Sequence, residues 1–296
     1  MSSPLEFQPL TESGFGAEVL GIDLAMLDKG GEDSLRQAFT DHGGLIVVRD
    51  QQLEDPADLC RFVALFGALE RNDKYDPDFL LPAFPEILKI GNAIENGRHG
   101  ALFIRADPPP LLWHCDDSFR DPQPLGSCLY CLEAPASGGE TGFAGMTEAY
   151  ESLPDSLKTR IEDLHAIHSY DHLNEFLRIR NPHRPALTER LRRDLPPVRR
   201  PLVAHHPSTG RKSLYLSLCH IERIEGLPDH EGRELLEQLQ SHATASRFTH
   251  FQDWRPGDLV LWDNRCTLHA PTPFDDEKYT RLMYRLTVTG DQIAGF

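Results

Sequence analysis

Between residues 126 and 289 the chain keeps returning to short runs rich in β-branched and aromatic residues, at 126–133, 201–206, 213–218, 258–263 and 281–289. Runs of this length, bounded by Gly, Pro, Asn and Asp, read as strands. The spacing between them predicts helices over 147–153, 156–164 and 227–243. Upstream, an alternating stretch within 15–24 reads as a strand. A helix over 35–41 ends at Gly43-Gly44, and 45–48 is a β-branched run of the kind buried on both faces. A second helix starts at Pro56 with Ala57, Leu59, Phe62, Val63 and Phe66 at helical spacing and closes at Gly67, and a further strand covers 85–91. The strands are too regularly spaced for two separable units. They predict a single domain over 1–296, mainly β with flanking helices, around a β-sandwich or jelly-roll core. Two stretches lack a period. Residues 71–82 are polar and aromatic and read as a loop. Residues 170–200 hold eight arginines and four prolines, and so long a segment is either a binding loop or lid, or a solvated insertion.

Thirty Lys and Arg face 46 Asp and Glu, a net charge of −16. That balance argues against a nucleic-acid partner, which calls for a basic face, and against an anionic membrane surface. No apolar run is long enough to span a bilayer. The opening residues 1–6 lack a signal-peptide layout, so a cytoplasmic location is expected. Six cysteines in 296 residues do not make a disulfide framework. Cys128 and Cys131 lie three apart in a strand-like run and so face opposite sides, with no second pair to complete a zinc site. In so acidic a chain an anionic substrate needs local arginines.

The stretch Trp113-His114-Cys115-Asp116-Asp117-Ser118-Phe119 reads as a strand end, led in by Leu111 and Leu112. Alternate strand residues share a face, which would aim His114 and Asp116 one way and Cys115 the other. An imidazole and a carboxylate can grip one metal ion. A distant histidine would complete a two-His, one-carboxylate set with open positions, the usual arrangement for non-haem Fe(II) that activates oxygen. Alone, His-x-Asp is equally a surface pair or a buried hydrogen bond. His269 is the distant candidate: Leu259 to Trp262 run into a turn at Asp263-Asn264, and His269 follows. A structural histidine at a strand edge would look the same. Further on, Arg281, Met283 and Arg285 alternate with Leu282, Tyr284 and Leu286. Burying both faces takes a neighbour on each side. An arginine that points inward needs an anion, because an unpaired buried charge costs about 3–5 kcal/mol. The guanidinium fork matches a carboxylate, and one of the chain's own acids would also serve.

Taken together and in order, WHCDDSF (113–119), GGETGF (138–143), HPSTGRKSLYLS (206–217), WRPGDLVLWDNRCTLHA (254–270) and TRLMYRLTVTGD (280–291) resemble the taurine/phenoxyacetate dioxygenase (TauD/TfdA) family of Fe(II)- and 2-oxoglutarate-dependent oxygenases. FGAEVLGIDL (15–24) and RFVALFGALE (61–70) extend the resemblance over nearly the whole chain. It implies a double-stranded β-helix, a jelly roll with the metal in its mouth. It implies Fe(II) held by His114, Asp116 and His269, which would be catalytic through the bound iron. Arg281 would clamp the far carboxylate of 2-oxoglutarate with help from the Thr141 hydroxyl, and Arg285 would face the acidic group of the primary substrate. With O2, decarboxylation of 2-oxoglutarate to succinate would be coupled to oxidation of that substrate. Hydroxylation comes first, since iron halogenases of this general kind lack the carboxylate supplied here by Asp116. Leu111, Leu112 and Asp117 are further substrate-binding candidates, and 71–82 and 170–200 are candidate substrate-covering loops. Relatives of this family are often dimers or tetramers, so a homo-oligomer is compatible.

The chain departs from taurine dioxygenase itself. Pro110, Leu111 and Leu112 stand where that enzyme has a polar asparagine, and its taurine-gripping histidine and tyrosine find no match in residues 72–77. Phe143 replaces a leucine-then-aromatic run after the glycine pair. The expected substrate is therefore a larger, less polar organic acid, carboxylate or sulfonate, set among Leu111, Leu112, Phe103 and Arg285, and not taurine. Two other classes compete. A zinc hydrolase or isomerase on the same scaffold would need an acid or base near the metal, with Asp117 and Glu140 the candidates in sequence, and it leaves Arg281 and Thr141 unexplained. A non-catalytic small-molecule binding protein would be marked by loss of a ligand.

Overall fold

Along Leu45–Val48, Gly126–Glu133, Leu259–Asp263 and Leu282–Val288 successive side chains enter two different cores. Ile46, Val48, Cys128, Tyr130, Leu259, Leu261, Leu286 and Val288 pack with Leu35, Phe39, Leu59, Phe62 and Val63, which come from the helices Lys29–Asp41 and Pro56–Val63. Their neighbours Leu45, Val47, Leu129, Cys131, Val260, Trp262 and Met283 turn the other way, onto Phe143 and Trp254. This is the period-two alternation of a sheet covered on both sides. It separates Cys128 from Cys131, and all six cysteines are free thiols.

The computed structural model describes residues 5–95, 98–102, 106, 111–180 and 183–290. Phe103 and Pro110, singled out in the sequence, lie outside them. The large sheet has eight strands in the order Glu6–Pro9, Ala17–Leu20, Leu45–Val48, Leu259–Asp263, Gly126–Glu133, Leu282–Val288, Phe84–Gly91 and Leu80–Leu81. Only Ala17–Leu20 beside Leu45–Val48 is parallel. A smaller antiparallel sheet, Thr249–Gln252, Thr141–Gly145 and Thr267–Pro271, lies across the inner core. Its outer residues Ala144, Leu268 and Ala270 pack on Met146, Ala149 and Tyr150 and on Leu235, Leu236 and Leu239 of the helix Asp229–Ala243. The architecture is that of a jelly roll, two facing sheets between helical layers. The large sheet does not close on itself. No helix among the described residues is long and apolar enough to cross a membrane.

Several elements differ from the sequence expectation. The first helix begins at Lys29, six residues early, because the Asp28 side chain accepts the Gly31 N–H at 2.9 Å and caps a glycine-containing first turn. The expected strand 201–206 splits into Val198–Pro201, paired with His165–His168, and Val203–His205, paired with Lys212–Leu214. The stretch 170–200, read as a loop, carries the helices Tyr170–Arg180 and Glu189–Asp194. Five of its eight arginines face acids: Arg178 on Glu175, Arg190 on Asp194, Arg192 on Asp171, Arg199 on Glu225 and, at 3.8 Å, Arg200 on Asp121. Residues 71–82 contain a 3-10 turn at Pro77–Phe79 and the edge strand Leu80–Leu81.

Candidate metal centre

His269 sits mid-strand in Thr267–Pro271. Its neighbours Leu268 and Ala270 enter the outer core, so its ring points between the sheets, 4.9 Å from the Trp262 ring centre. His114 reaches it through a single bridge, with backbone N–H···O bonds of 2.9 and 2.8 Å in both directions. The expected strand through 113–119 is therefore absent. One residue pair anchors the segment, and a turn follows in which Asp117 has φ +51° and Arg120 N–H bonds to Asp117 O at 2.8 Å. That turn, and not strand alternation, brings Asp116 back toward His114.

The three side chains converge. His114 Nε2 lies 4.0 Å and His269 Nε2 3.7 Å from Asp116 Oδ1, and one donor atom from each lies within 4.8 Å of the others. His114 Nδ1 is 3.0 Å from the Leu112 carbonyl. That contact assigns the ring proton to Nδ1 and leaves a lone pair on Nε2. Burial, with the nearby His114 and Arg285, pushes the His269 pKa down to about 3 against the pull of Asp116, so the ring is neutral at pH 7. Asp116 is ionised. Burial opposes its charge, but Arg285, His269, His114 and Ser127 outweigh burial and hold the carboxyl well below the usual range. Its Oδ2 accepts from Ser127 Oγ at 2.8 Å and forms an ion pair with Arg285 Nη2 at 2.8 Å. Its backbone N–H donates to Asn264 Oδ1 at 3.2 Å. Asn264 also accepts from Trp262 Nε1 at 3.1 Å. Oδ1 is thereby turned to the two imidazole nitrogens. Two lone-pair nitrogens and one carboxylate oxygen, held by outer hydrogen bonds, make a donor set that fits a divalent metal.

Two residues along the strand from Phe143, which pairs with His269, Thr141 contacts a second cationic group, Arg281. Arg281 donates to Gly139 O at 3.1 Å and to Thr141 Oγ1 at 3.3 Å. Thr141 also accepts from Trp254 Nε1 at 3.0 Å. Among the described residues no carboxylate forms an ion pair with Arg281, and burial lowers its pKa to about 10. Arg285 differs. It is paired with Asp116, and its buried Nε has no hydrogen-bond partner among the described residues.

The remaining candidates are placed as follows. Asp117 binds Arg120 at 2.8 Å, and Arg120 also binds Glu70 at 2.9 Å. The Glu140 carboxylate takes the Thr272 hydroxyl. Neither acid is left free as a general base. Leu111 packs on the outer core, and Leu112 contributes its carbonyl to His114. Sequence reasoning missed Ser127, Asn264 and Trp254, which hold the putting-together of the site, and Tyr75. Burial raises the Tyr75 phenol pKa, and Arg285 partly offsets the rise, so that residue of the 71–82 stretch stands in the field of the site.

Known proteins resemble this chain over nearly its whole length. The family described as "Taurine catabolism dioxygenase TauD, TfdA family" matches residues 6–287. A (S)-phenoxypropionate/alpha-ketoglutarate-dioxygenase of Sphingobium herbicidovorans is 34% identical over 302 residues, covering 98% of this chain and 97% of that protein. An alpha-ketoglutarate-dependent 2,4-dichlorophenoxyacetate dioxygenase of Cupriavidus pinatubonensis is 35% identical over 284 residues, covering 95% and 96%. Among solved structures, AAD-2 in complex with Mn(II) and N-oxalylglycine superposes with a TM-score of 0.79 at 30% identity, covering 98% of this chain and all of that one.

Proposed function

The chain belongs to the TauD/TfdA family and is a 2-oxoglutarate-dependent dioxygenase, and we propose that it acts as one domain on an aryl-bearing or similarly apolar organic acid, with Fe(II) held by His114, Asp116 and His269. The observation that carries the reading is the half-buried Arg281, a cation with no carboxylate partner among the described residues, in a fold that also assembles a three-donor set fitting a metal. Bound Fe(II) supplies oxygen activation coupled to decarboxylation of 2-oxoglutarate.

The protein's own residues do the positioning. Arg281 takes the far carboxylate of 2-oxoglutarate two-pronged, and Thr141, already fixed by Trp254, adds its hydroxyl. Ser127, Asn264 and Arg285 fix the Asp116 carboxylate so that one oxygen serves the metal. Arg285 keeps a spare buried donor in Nε, which suits the acidic group of the primary substrate. Aryloxy acids are the leading substrate class, because the relatives named for phenoxypropionate and 2,4-dichlorophenoxyacetate span nearly their whole length with this chain. Six free thiols suit the cytoplasm.

The test is succinate formation from 2-oxoglutarate with Fe(II), ascorbate and O2 across aryloxy acids, alkyl sulfates, sulfonates and N-acyl amino acids. Succinate that rises with an aryloxy acid is expected. Protein shown to hold Fe(II) that makes no succinate with any of them would overturn the reading. Neutral amides that bind as tightly as the acids would remove the role given to Arg285.

A further inference from the structure

The turn that brings Asp116 into the candidate metal centre is itself held by a buried cation. Its residue Asp117 has φ +51°, a conformation that side chains other than glycine seldom adopt. Such a conformation persists only where the surroundings hold it, and several neighbours do. Gln123 Nε2 donates to Asp116 O at 3.1 Å, and the Tyr215 hydroxyl donates to Gln123 Oε1. Ser118 Oγ lies 2.8 Å from His168 Nδ1 and 2.8 Å from His220 Nδ1. Arg200 Nε donates to Ser118 O at 3.4 Å, and Arg200 Nη2 donates to Arg120 O.

Arg200 is the charged member of this set. It stands on the strand Val198–Pro201, opposite Ala166. Strand alternation sends Arg199 out to Glu225 and Arg200 inward, and Arg200 is 2% exposed. Its one ion-pair partner among the described residues is Asp121, 3.8 Å away, whose side chain is 74% exposed. A carboxylate so open to water does little to balance an enclosed guanidinium. The carbonyls of Ser118 and Arg120 supply the rest of its partners. Two carbonyls two residues apart suit a planar fork that presents several N–H groups at fixed spacing. A lysine ammonium is a point charge on a flexible stem and has no such spacing.

We propose that Arg200 is a positioning residue of the metal centre: its guanidinium, bonded to the Ser118 and Arg120 carbonyls, fixes the turn that aims the Asp116 carboxylate at His114 and His269. The role rests on those three residues holding a metal, as proposed above. It makes the end of the 170–200 stretch a support of the centre and not only a cover for it. Without the fork the turn relaxes and the carboxylate loses its setting, while the two facing sheets keep their packing. Groups that orient a metal ligand are worth about 10- to 100-fold in metal affinity. Arg200 acts through the backbone beside the ligand, so the effect falls at the lower end, about 10-fold.

Co(II) is the probe, titrated into the full chain without oxygen, because its visible absorption reports both affinity and coordination geometry. In Arg200→Lys the Co(II) Kd is expected to rise about 10-fold with an altered band, at unchanged circular dichroism. Asp121→Asn is expected to stay within about twofold of the parent. In Arg200→Ala, methylguanidinium is expected to restore the parent band. Without metal, hydrogen exchange in Arg200→Lys is expected to quicken across 117–123 and not in the strand Leu259–Asp263. A parent that binds no Co(II) lost by Asp116→Ala removes the metal centre and this role together. A parent that does bind it, with an unaltered band and Kd in both Arg200 variants, overturns the role of Arg200 alone. So does an Asp121→Asn variant as weak as Arg200→Lys, or a band that methylguanidinium fails to restore. Should neither Arg200 variant fold, nitrogen NMR of the unsubstituted chain decides. A slowly exchanging Arg200 Nε–H that shifts on adding Zn(II) is expected, and a rapidly exchanging or unmoved one overturns the role.

Discussion

Replacing Arg281 with methionine separates an anion site from a structural ion pair. Burial brings this guanidinium from 12.5 to about 10, a penalty of about 3 kcal/mol at about 1.4 kcal/mol per tenfold change in acidity. The residue is not wholly enclosed, and screening by water reduces that to about 1–2 kcal/mol. The folded chain would lose this proton before the unfolded chain does. The penalty is therefore fully present below pH 10 and relieved only as pH climbs toward 12.5, beyond any ordinary pH scan. On the other side, the bonds to Gly139 O and Thr141 Oγ1 contribute about 1 kcal/mol each. The two effects nearly cancel, so Arg281→Met should leave the ligand-free protein within about 1 kcal/mol of the parent, where breaking a buried ion pair costs about 3–5.

Binding of 2-oxoglutarate should behave differently. Truncating one partner of a buried charge pair costs about 2–5 kcal/mol, which is roughly 30-fold to several thousand-fold in affinity. Urea unfolding with and without 2-oxoglutarate reads both quantities. At about 100 times Kd the ligand stabilises the parent by about 2.7 kcal/mol, and at the same concentration it should stabilise the variant by about 0.9 kcal/mol or less. A ligand-free variant weaker by more than about 3 kcal/mol would refute the reasoning, and so would a variant still fully stabilised by 2-oxoglutarate.

Three other outcomes are expected. Asp116→Ala should abolish turnover and Fe(II) retention, measured by metal analysis after gel filtration, because it removes the one anionic donor and strands Arg285; full turnover would rule out the ligand assignment. Asn264→Ala frees the Asp116 N–H and the Trp262 Nε1–H and should lower metal affinity or activity about 10- to 100-fold, with circular dichroism unchanged. His168, fully buried, is pushed down to about 3 by burial and Arg200. The folded ring stays neutral while the unfolded one protonates near 6.5. Its contribution is therefore complete above that pH and is lost as pH falls toward 3, about 2 kcal/mol by pH 5. Urea midpoints at pH 7 and pH 5 should converge by that amount in His168→Gln, and an unaltered gap would show that the ring is charged in the native state.

The sequence carries the donor types of the candidate site and not the geometry that joins them. His114 and Asp116 are visible because few side chains can ligate a metal, yet the strand inferred through them is a bridge and a turn. Their proximity depends on His269, 155 residues away in the chain, through one backbone pair. Ser127 and Asn264 could not be found from residue type. Ser127 reaches Asp116 because the Gly126–Glu133 strand sets it opposite Trp262, a register no local pattern encodes. Asp117 shows the converse. A carboxylate beside the His-x-Asp pair looks chemically useful in sequence, and in the fold Arg120 holds it.

Alternation put Arg281 and Arg285 on one face of the last strand, and the acidic composition made both look like anion binders. Their difference is tertiary. Asp116 lies 2.8 Å from Arg285, while Arg281 meets a carbonyl, a hydroxyl and the face of the Trp254 ring, and no carboxylate among the described residues. A chain with a net charge of −16 has acids to spare, so a half-buried arginine among neutral partners reflects exclusion of those acids from its surroundings. Trp254, Thr141 and Phe143 occupy the inner positions where an acid could have stood. It is this exclusion, more than the presence of the arginine, that leaves the guanidinium to a ligand's carboxylate.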